Sequence, residues 1–152
     1  MCYLFLNSDN LMKKVLLDAM IGISLLSKLT FTDNKRIGTL GHSYDGNTVL
    51  FLSVLDEWIY FSCASGSACT YKNRMLNDVG IELASVIPCF NKSYDIFDLV
   101  RCIAPRPLLI VSAMKTNTRG MQTLLLNKLV HHMQNMGLRI NYVIRDIVVV
   151  MN

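Results

Sequence analysis

A single serine stands between two glycines in the segment Arg36–Gly46, which reads RIGTLGHSYDG. An apolar run ends at the tripeptide GHS, and a helical pattern begins at Asn47. This order predicts a strand, a sharp turn and a helix, with Ser43 at the apex of the turn. A serine on such a strained turn holds its hydroxyl above the sheet edge, where it can attack an acyl carbon. The common alternative is a serine that caps the following helix.

The other residue types with reactive side chains show no pattern of their own. The five cysteines are an odd number without a CxxC spacing, so we expect buried, reduced thiols, and for Cys63 and Cys69 core packing rather than a disulfide. The three histidines have no ligand spacing with cysteines or carboxylates, so we expect no metal site and no cofactor. His131 and His132 fall among leucines and methionines, which favours ordinary half-buried or surface histidines.

The elements before and after Ser43 follow from periodicity. Asp9 and Asn10 can cap a helix whose apolar positions recur at helical spacing up to Leu26. We predict a strand over 36–40, a buried helix over 47–55 and a strand over 58–64. Residues 71–97 are irregular and predict a surface excursion. Asp95 and Asp98, near its end, are interpreted as a helix cap or solvated charges.

The next elements complete an alternation of strands and helices. A short helix over 95–102 stops before the proline pair at 105 and 107, and the apolar run LLIV over 108–111 predicts a strand covered on both faces. This alternation predicts an α/β fold with a parallel sheet of three to four strands flanked by helices. Further on, the pattern indicates a helix over 123–136 and a single strand over 138–150.

Composition narrows the function classes. The chain has 152 residues, of which 52% are hydrophobic and 17% charged, enough for one domain with a sizeable core. No run reaches the roughly 18 apolar residues of a membrane span, and residues 1–6 lack the features of a signal peptide. We therefore expect a cytoplasmic protein without a membrane partner. The net charge of +4 includes scattered basic residues after position 98, which does not favour nucleic-acid binding.

Four segments together resemble the α/β-hydrolase superfamily, in its branch of dienelactone hydrolases and acetyl xylan esterases. They are RIGTLGHSYDG (36–46), FSCASGSACTYKN (61–73), GIELASVIP (80–88) and DIFDLVRCIAPRPLLIVSA (95–113). The resemblance implies a serine hydrolase of the carboxylic-ester type that acts on a small-molecule ester, with Ser43 as nucleophile. It also implies that the backbone N–H of Tyr44 is one oxyanion-hole donor.

The sequence departs from the family pattern in three ways. Asp45 replaces the last glycine of Gly-x-Ser-x-Gly, so we expect a carboxylate that crowds the turn. The family's early strands, with the second oxyanion donor, would precede Leu11, and Met1 comes too late for them. No acid follows LLIVSA until Asp146, and there is no Gly-Gly-His turn for the catalytic histidine. From these departures we expect a partial hydrolase domain over 1–113 that is inactive in this chain.

The tail over 114–152 is interpreted as divergent or out of frame. Read in another frame, the codons for residues 114–123 permit an acid-bearing string like the family's, and those for 142–152 permit a Gly-Gly-His string. Our hypothesis is a frameshift near Ala113. The alternatives to an active hydrolase are a non-catalytic truncated remnant and an interaction module. In either case an exposed sheet edge would favour self-association.

Overall fold

A computed structural model of the chain describes residues 9–76, 80–111, 140–144 and 147–150, the last two stretches by their backbone alone. The first helix, α1 (Leu11–Leu26), begins as predicted: the side chain of Asn10 caps it by accepting the backbone N–H of Lys13 at 2.8 Å. Its buried side chains lie four and seven residues apart, as expected for a helix that packs on one face. They are Met12, Leu16 and Ile23.

Three strands form the parallel part of the sheet, which confirms the predicted fold class. They are β1 (Gly38–His42), β2 (Phe61–Ser65) and β3 (Leu108–Val111), and β2 lies between the other two. The predicted strand over 58–64 begins later than expected. Trp58 instead donates its backbone N–H to the side chain of Asp56 at 3.0 Å, in a turn before β2.

Two further strands extend the sheet in the opposite sense, in the order β1-β2-β3-β5-β4. They are β4 (Ile140–Ile144) and β5 (Ile147–Val150), which pair with each other antiparallel, and β5 also pairs antiparallel with β3. The prediction of one strand over 138–150 is therefore wrong. Alternation with a period of two is the same along one long strand and along two paired strands, so it does not reveal the reversal.

The remaining helices connect the parallel strands. They are α2 (Tyr44–Leu55), α3 (Tyr71–Leu76) and α4 (Ile96–Ile103), with two short 3₁₀ turns at Leu83–Ser85 and Phe90–Lys92. Asp95 caps α4 in a capping box with Asp98, and the Asp95 carboxylate also accepts the backbone N–H of Tyr71 at 2.8 Å. The interpretation of Asp95 as a cap is confirmed, and this carboxylate joins α3 to α4.

The two faces of the parallel strands differ in burial. The positions toward α2 are buried apart from the half-buried Thr39, and the buried hydroxyls of Ser53 in α2 and Ser62 in β2 lie 2.6 Å apart. Positions on the opposite face, here called the open face, are exposed or half-buried, with Leu40 at 75% and Phe61 at 46% exposure. The open face consists of Leu40, His42, Phe61, Cys63, Ser65, Leu109 and Val111.

One arginine connects the end of α2 to the turn before β2 through hydrogen bonds to backbone carbonyls. The Arg106 guanidinium, just before β3, donates to the backbone carbonyls of Asp56 at 2.9 Å and Ile59 at 3.1 Å, and also to that of Ser53. These carbonyls belong to buried residues, and one planar donor with several N–H groups satisfies all three.

Within these described ranges, no helix is long and apolar enough to cross a membrane.

Candidate nucleophile turn

Ser43 lies alone between the end of β1 at His42 and the start of α2 at Tyr44. Its backbone has φ 56° and ψ −117°, a combination that a residue with a side chain adopts only at a cost of about 1–3 kcal/mol. The serine is exposed, and its side chain makes no capping hydrogen bond to α2. The alternative of a helix-capping serine is therefore wrong, and the turn has the strained strand-to-helix geometry that the sequence predicts.

Two glycines permit this turn. A Cβ at Gly41 would lie 2.3 Å from the backbone oxygen of Asp45, and one at Gly46 would lie 2.3 Å from Ser67 Oγ and 2.8 Å from the backbone oxygen of Ser65. Asp45 itself is exposed. The expectation that its carboxylate crowds the turn is therefore wrong, because the helix approaches β2 through Gly46, one residue later.

Backbone hydrogen bonds tie the turn to the neighbouring strand ends. The N–H of Ser43 donates to the carbonyl of Ser65 at 2.8 Å, and the N–H of Gly66 donates to the carbonyl of Val111 at 2.8 Å. The carboxyl ends of β1, β2 and β3 are thus joined in one row. Reactive side chains at this row lie at the same edge of the parallel sheet, where ligands of open α/β sheets bind.

Tyr44 is the first residue of α2, and the N–H groups of a first helical turn have no partner within the helix. That placement suits the oxyanion-hole role implied by the family resemblance, which stays a prediction. The phenol is partly buried, and its hydroxyl has no hydrogen-bond partner among the described residues. Burial raises the pKa of the Tyr44 phenol, and the Asp45 charge raises it further, so the side chain is a neutral phenol near neutral pH.

A second pair of reactive groups lies beside the turn. The His42 imidazole Nδ1 is 3.0 Å from the hydroxyl oxygen of Ser65, its register partner on β2. The imidazole also passes over Gly66, whose φ is 63°, so that a Cβ there would lie 3.0 Å from His42 Cε1. The sequence alone did not predict this pair. The available signal was that both residues follow closely after the ends of two consecutive predicted strands.

Some of the other candidate residues belong to the described ranges, and others do not. Cys63 and Cys69 are free thiols, and burial raises the pKa of each. Core packing is confirmed for the buried Cys69 and is wrong for Cys63, which is half-buried on the open face. The expectation of buried thiols is wrong for Cys89 and Cys102, which are exposed. Cys2, Asp146, the histidines at 131 and 132, and the predicted helix over 123–136 lie outside the described residues. Among the residues described, no three potential ligands gather at a metal site.

An apolar cavity of about 380 Å³ lies between α1 and α2 rather than at the turn. Met12, Leu16 and Met20 of α1 line one side, and Phe51 and Val54 of α2 line the other, with Phe90 and a few further side chains from the rest of the chain. None of the lining residues comes from the row of strand ends. The cavity is therefore not a pocket for a substrate of Ser43.

Solved structures similar to this chain include three hydrolases. A promiscuous CE15 esterase from a marine bacterial metagenome matches with a TM-score of 0.64 and 20% identity over 84% of this chain and 37% of its own. A glucuronoyl esterase from Solibacter usitatus matches with a TM-score of 0.62 and 18% identity over 80% of this chain and 36% of its own. An alpha/beta hydrolase from Penicillium sp. sh18 matches with a TM-score of 0.54 and 12% identity over 80% and 59%.

The chain carries part of an α/β-hydrolase fold. It spans little more than a third of the length of the two esterases. No protein-family model matches the sequence, and neither does any curated protein. In this partial α/β-hydrolase fold, the turn at Ser43 stands at the end of a parallel strand and the start of a helix.

Proposed function

We propose that this chain carries the nucleophile site of a carboxylic-ester hydrolase, with Ser43 as the nucleophile and the N–H of Tyr44 as an oxyanion donor. The observation that supports it is the backbone of Ser43, strained at φ 56° between two glycines that cannot accept a Cβ. Strain of this kind persists only when the surrounding structure imposes it, and it is concentrated at functional sites. A serine that only caps a helix does not need a strained backbone.

The substrate class follows from the chemistry of such a turn. The Ser43 oxygen attacks the carbonyl carbon of a small-molecule ester, the alcohol leaves, and water later releases the acid from the acyl-enzyme. The similarity to esterase structures supports this class, and the sequence motifs favour the dienelactone hydrolase and acetyl xylan esterase branch. A cytoplasmic location is part of the same proposal.

Turnover by Ser43 is proposed to be lost or very slow. The sequence offers no acid directly after the LLIVSA segment and no Gly-Gly-His turn. Loss of triad members elsewhere leaves a residual rate enhancement of about 10³–10⁴ over water, which comes from the oxyanion hole and from binding. We therefore expect slow covalent reaction at Ser43 and hydrolysis far below that of an intact esterase.

The test is labelling of the purified chain with a fluorophosphonate probe, beside an aryl-acetate hydrolysis assay. The modified residue is identified by mass spectrometry of peptides. We expect an adduct on Ser43 that forms over hours and is absent from Ser43→Ala. The matched control is Ser24→Ala, which removes an exposed serine on α1 and should label like the wild type. An unmodified Ser43 after prolonged exposure contradicts the proposal.

A second candidate function is a non-catalytic interaction module that self-associates. In the part of the chain that the structure describes, no strand pairs with the outer edge of β1, which ends the strand order. An unpaired edge with a leucine exposed to 75% is a template for another strand. A second copy of this chain, paired antiparallel through β1, is the proposed occupant.

Light scattering after size exclusion tests the second candidate. We expect a dimer that Leu40→Pro shifts to monomer, because the Leu40 N–H points away from β2 and proline removes this donor from the edge strand. Asn34→Pro, at the second position of the turn closed by the Arg36 N–H and the Asp33 carbonyl before β1, is the control and should stay dimeric. A monomer at all concentrations contradicts edge pairing, whatever the outcome at Ser43.

A further inference from the structure

The hydroxyl of Ser65 has the partner that Ser43 lacks. Its Oγ lies 3.0 Å from His42 Nδ1, within the range over which a general base removes a proton from a nucleophile. It is the one serine hydroxyl among the described residues with an imidazole at hydrogen-bond distance. Ser65 is half-buried and His42 is exposed, so the pair is accessible from solvent while being held in the sheet.

The neighbouring backbone fixes this pair. His42 and Ser65 are register partners in β1 and β2, and the N–H of Ser43 donates to the carbonyl of Ser65 at 2.8 Å. Gly66 makes room for the ring, because a Cβ there would lie 3.0 Å from His42 Cε1. The imidazole is therefore placed by main-chain geometry.

The open face leads to the pair through apolar side chains. Leu40 and Cys63 are the paired residues two positions before His42 and Ser65 on the same face, and Cys63 also pairs with Leu109 on β3. Leu40 is exposed to 75%, and the other two are half-buried. An uncharged acyl group would lie on these side chains with its carbonyl near Ser65.

We propose that Ser65 and His42 form a second nucleophile and base, separate from the Ser43 turn, that reacts with esters of small apolar carboxylic acids. The reactive tautomer has its proton on Nε2, so that Nδ1 accepts. The Ser65 oxygen bonds to the carbonyl carbon while its proton moves to His42 Nδ1. The tetrahedral adduct then breaks its bond to the alcohol oxygen, which takes that proton and leaves an ester on Ser65.

Water completes the cycle. It gives a proton to Nδ1 as its oxygen bonds to the ester carbon, and the bond to Ser65 Oγ breaks as the serine recovers that proton. This proposal goes beyond the proposed function and does not depend on Ser43. Because the two serines lie on different peptides after digestion with a suitable protease, one labelling experiment separates their outcomes.

The experiment uses the fluorophosphonate probe with peptide mapping, on the wild type and in the Ser43→Ala background. We expect an adduct on Ser65, and we expect its rate of formation to fall at least tenfold when His42→Gln is added. Ser24→Ala in the same background is the control and should change nothing. An unmodified Ser65 overturns the proposal, as does a rate that His42→Gln leaves unchanged.

A second measurement separates a base from a merely structural side chain. In the His42→Ala variant, added imidazole should restore labelling of Ser65 by at least threefold, with far-ultraviolet circular dichroism confirming the fold. No restoration in a folded variant overturns the role of His42. An adduct on Ser43 alone contradicts this proposal but supports the proposed function, whereas an adduct on Ser65 alone does the reverse.

Discussion

Ser43 and Ser65 lie next to each other at the carboxyl-terminal edge of the parallel strands, but they differ in backbone geometry and in side-chain contacts. Ser43 has a strained backbone, with φ 56°, and no capping contact for its side chain. Ser65 lies at the end of a regular strand, and its side chain contacts an imidazole at 3.0 Å. One serine has the backbone geometry of a nucleophile, and the other has a base.

The difference teaches that two requirements of nucleophilic catalysis arise from different parts of a sequence. The strained turn depends on glycines two residues before and three residues after the serine, so it is encoded within a short segment. A base must come from elsewhere in the chain. For Ser65 it comes from β1 across 23 residues, through strand pairing. A nucleophile turn can therefore be recognised within one short segment, whereas a base cannot.

Gly46→Val should have the largest effect on stability, because its side chain would overlap the residues against which the Ser43 turn packs. Its Cβ would lie 2.3 Å from Ser67 Oγ and 2.8 Å from the carbonyl oxygen of Ser65. We expect a loss of about 3 kcal/mol in unfolding free energy, as for overpacked cores. Urea denaturation measures it.

The matched control for that substitution is Gly22→Ala on α1, where a Cβ meets nothing within 4 Å. Alanine in a helix should raise stability by up to about 1 kcal/mol. If Gly46→Val is as stable as the wild type, then β2 does not pack against this glycine, and the account of the turn is wrong.

Arg106→Leu should have the next largest effect and should not distinguish the serines. It leaves three buried carbonyls without their donor, for a loss of about 2 kcal/mol. Arg36→Leu, whose side chain is exposed to 81% and pairs with Asp33 on the surface, should cost less than about 0.5 kcal/mol. The ratio of Ser65 to Ser43 labelling should stay constant, and a changed ratio would show that the two serines share this support.

Gly66→Ala should have the smallest effect on stability and the most selective effect on labelling. The residue has φ 63°, where a side chain costs about 1 kcal/mol, and its Cβ would press against the His42 ring. We expect the rate at Ser65 to fall at least fivefold while the rate at Ser43 stays within twofold. Equal losses at both serines would refute their separation.

The sequence predicted those elements whose signals are local. The cap at Asn10, the strand LLIV and the turn at Ser43 each follow from a few adjacent residues, and each is confirmed. The prediction that LLIV is covered on both faces is wrong, because Leu109 and Val111 are only half-buried on the open face. It failed at Asp45, because it could not show that the tight approach is made by Gly46 instead. The pairing of His42 with Ser65 depends on strand register, which periodicity does not give.

The frameshift near Ala113 stays a prediction, because it concerns the coding DNA and not the folded chain. Reading the coding DNA decides it. The codons from 114 onward must permit the acid-bearing and Gly-Gly-His strings in one shifted frame. Codons that cannot do so remove the hypothesis and favour a divergent ending.

A crystal structure of the chain after reaction with a small fluorophosphonate tests the central claim, the nucleophile turn at Ser43, most directly. It should show Ser43 with φ near the value of 56° found here and phosphorus bonded to its Oγ. The phosphonyl oxygen should lie about 3 Å from the backbone nitrogen of Tyr44, as in an oxyanion hole. A Ser43 with a negative φ, or an adduct oxygen that points away from Tyr44, would contradict the account.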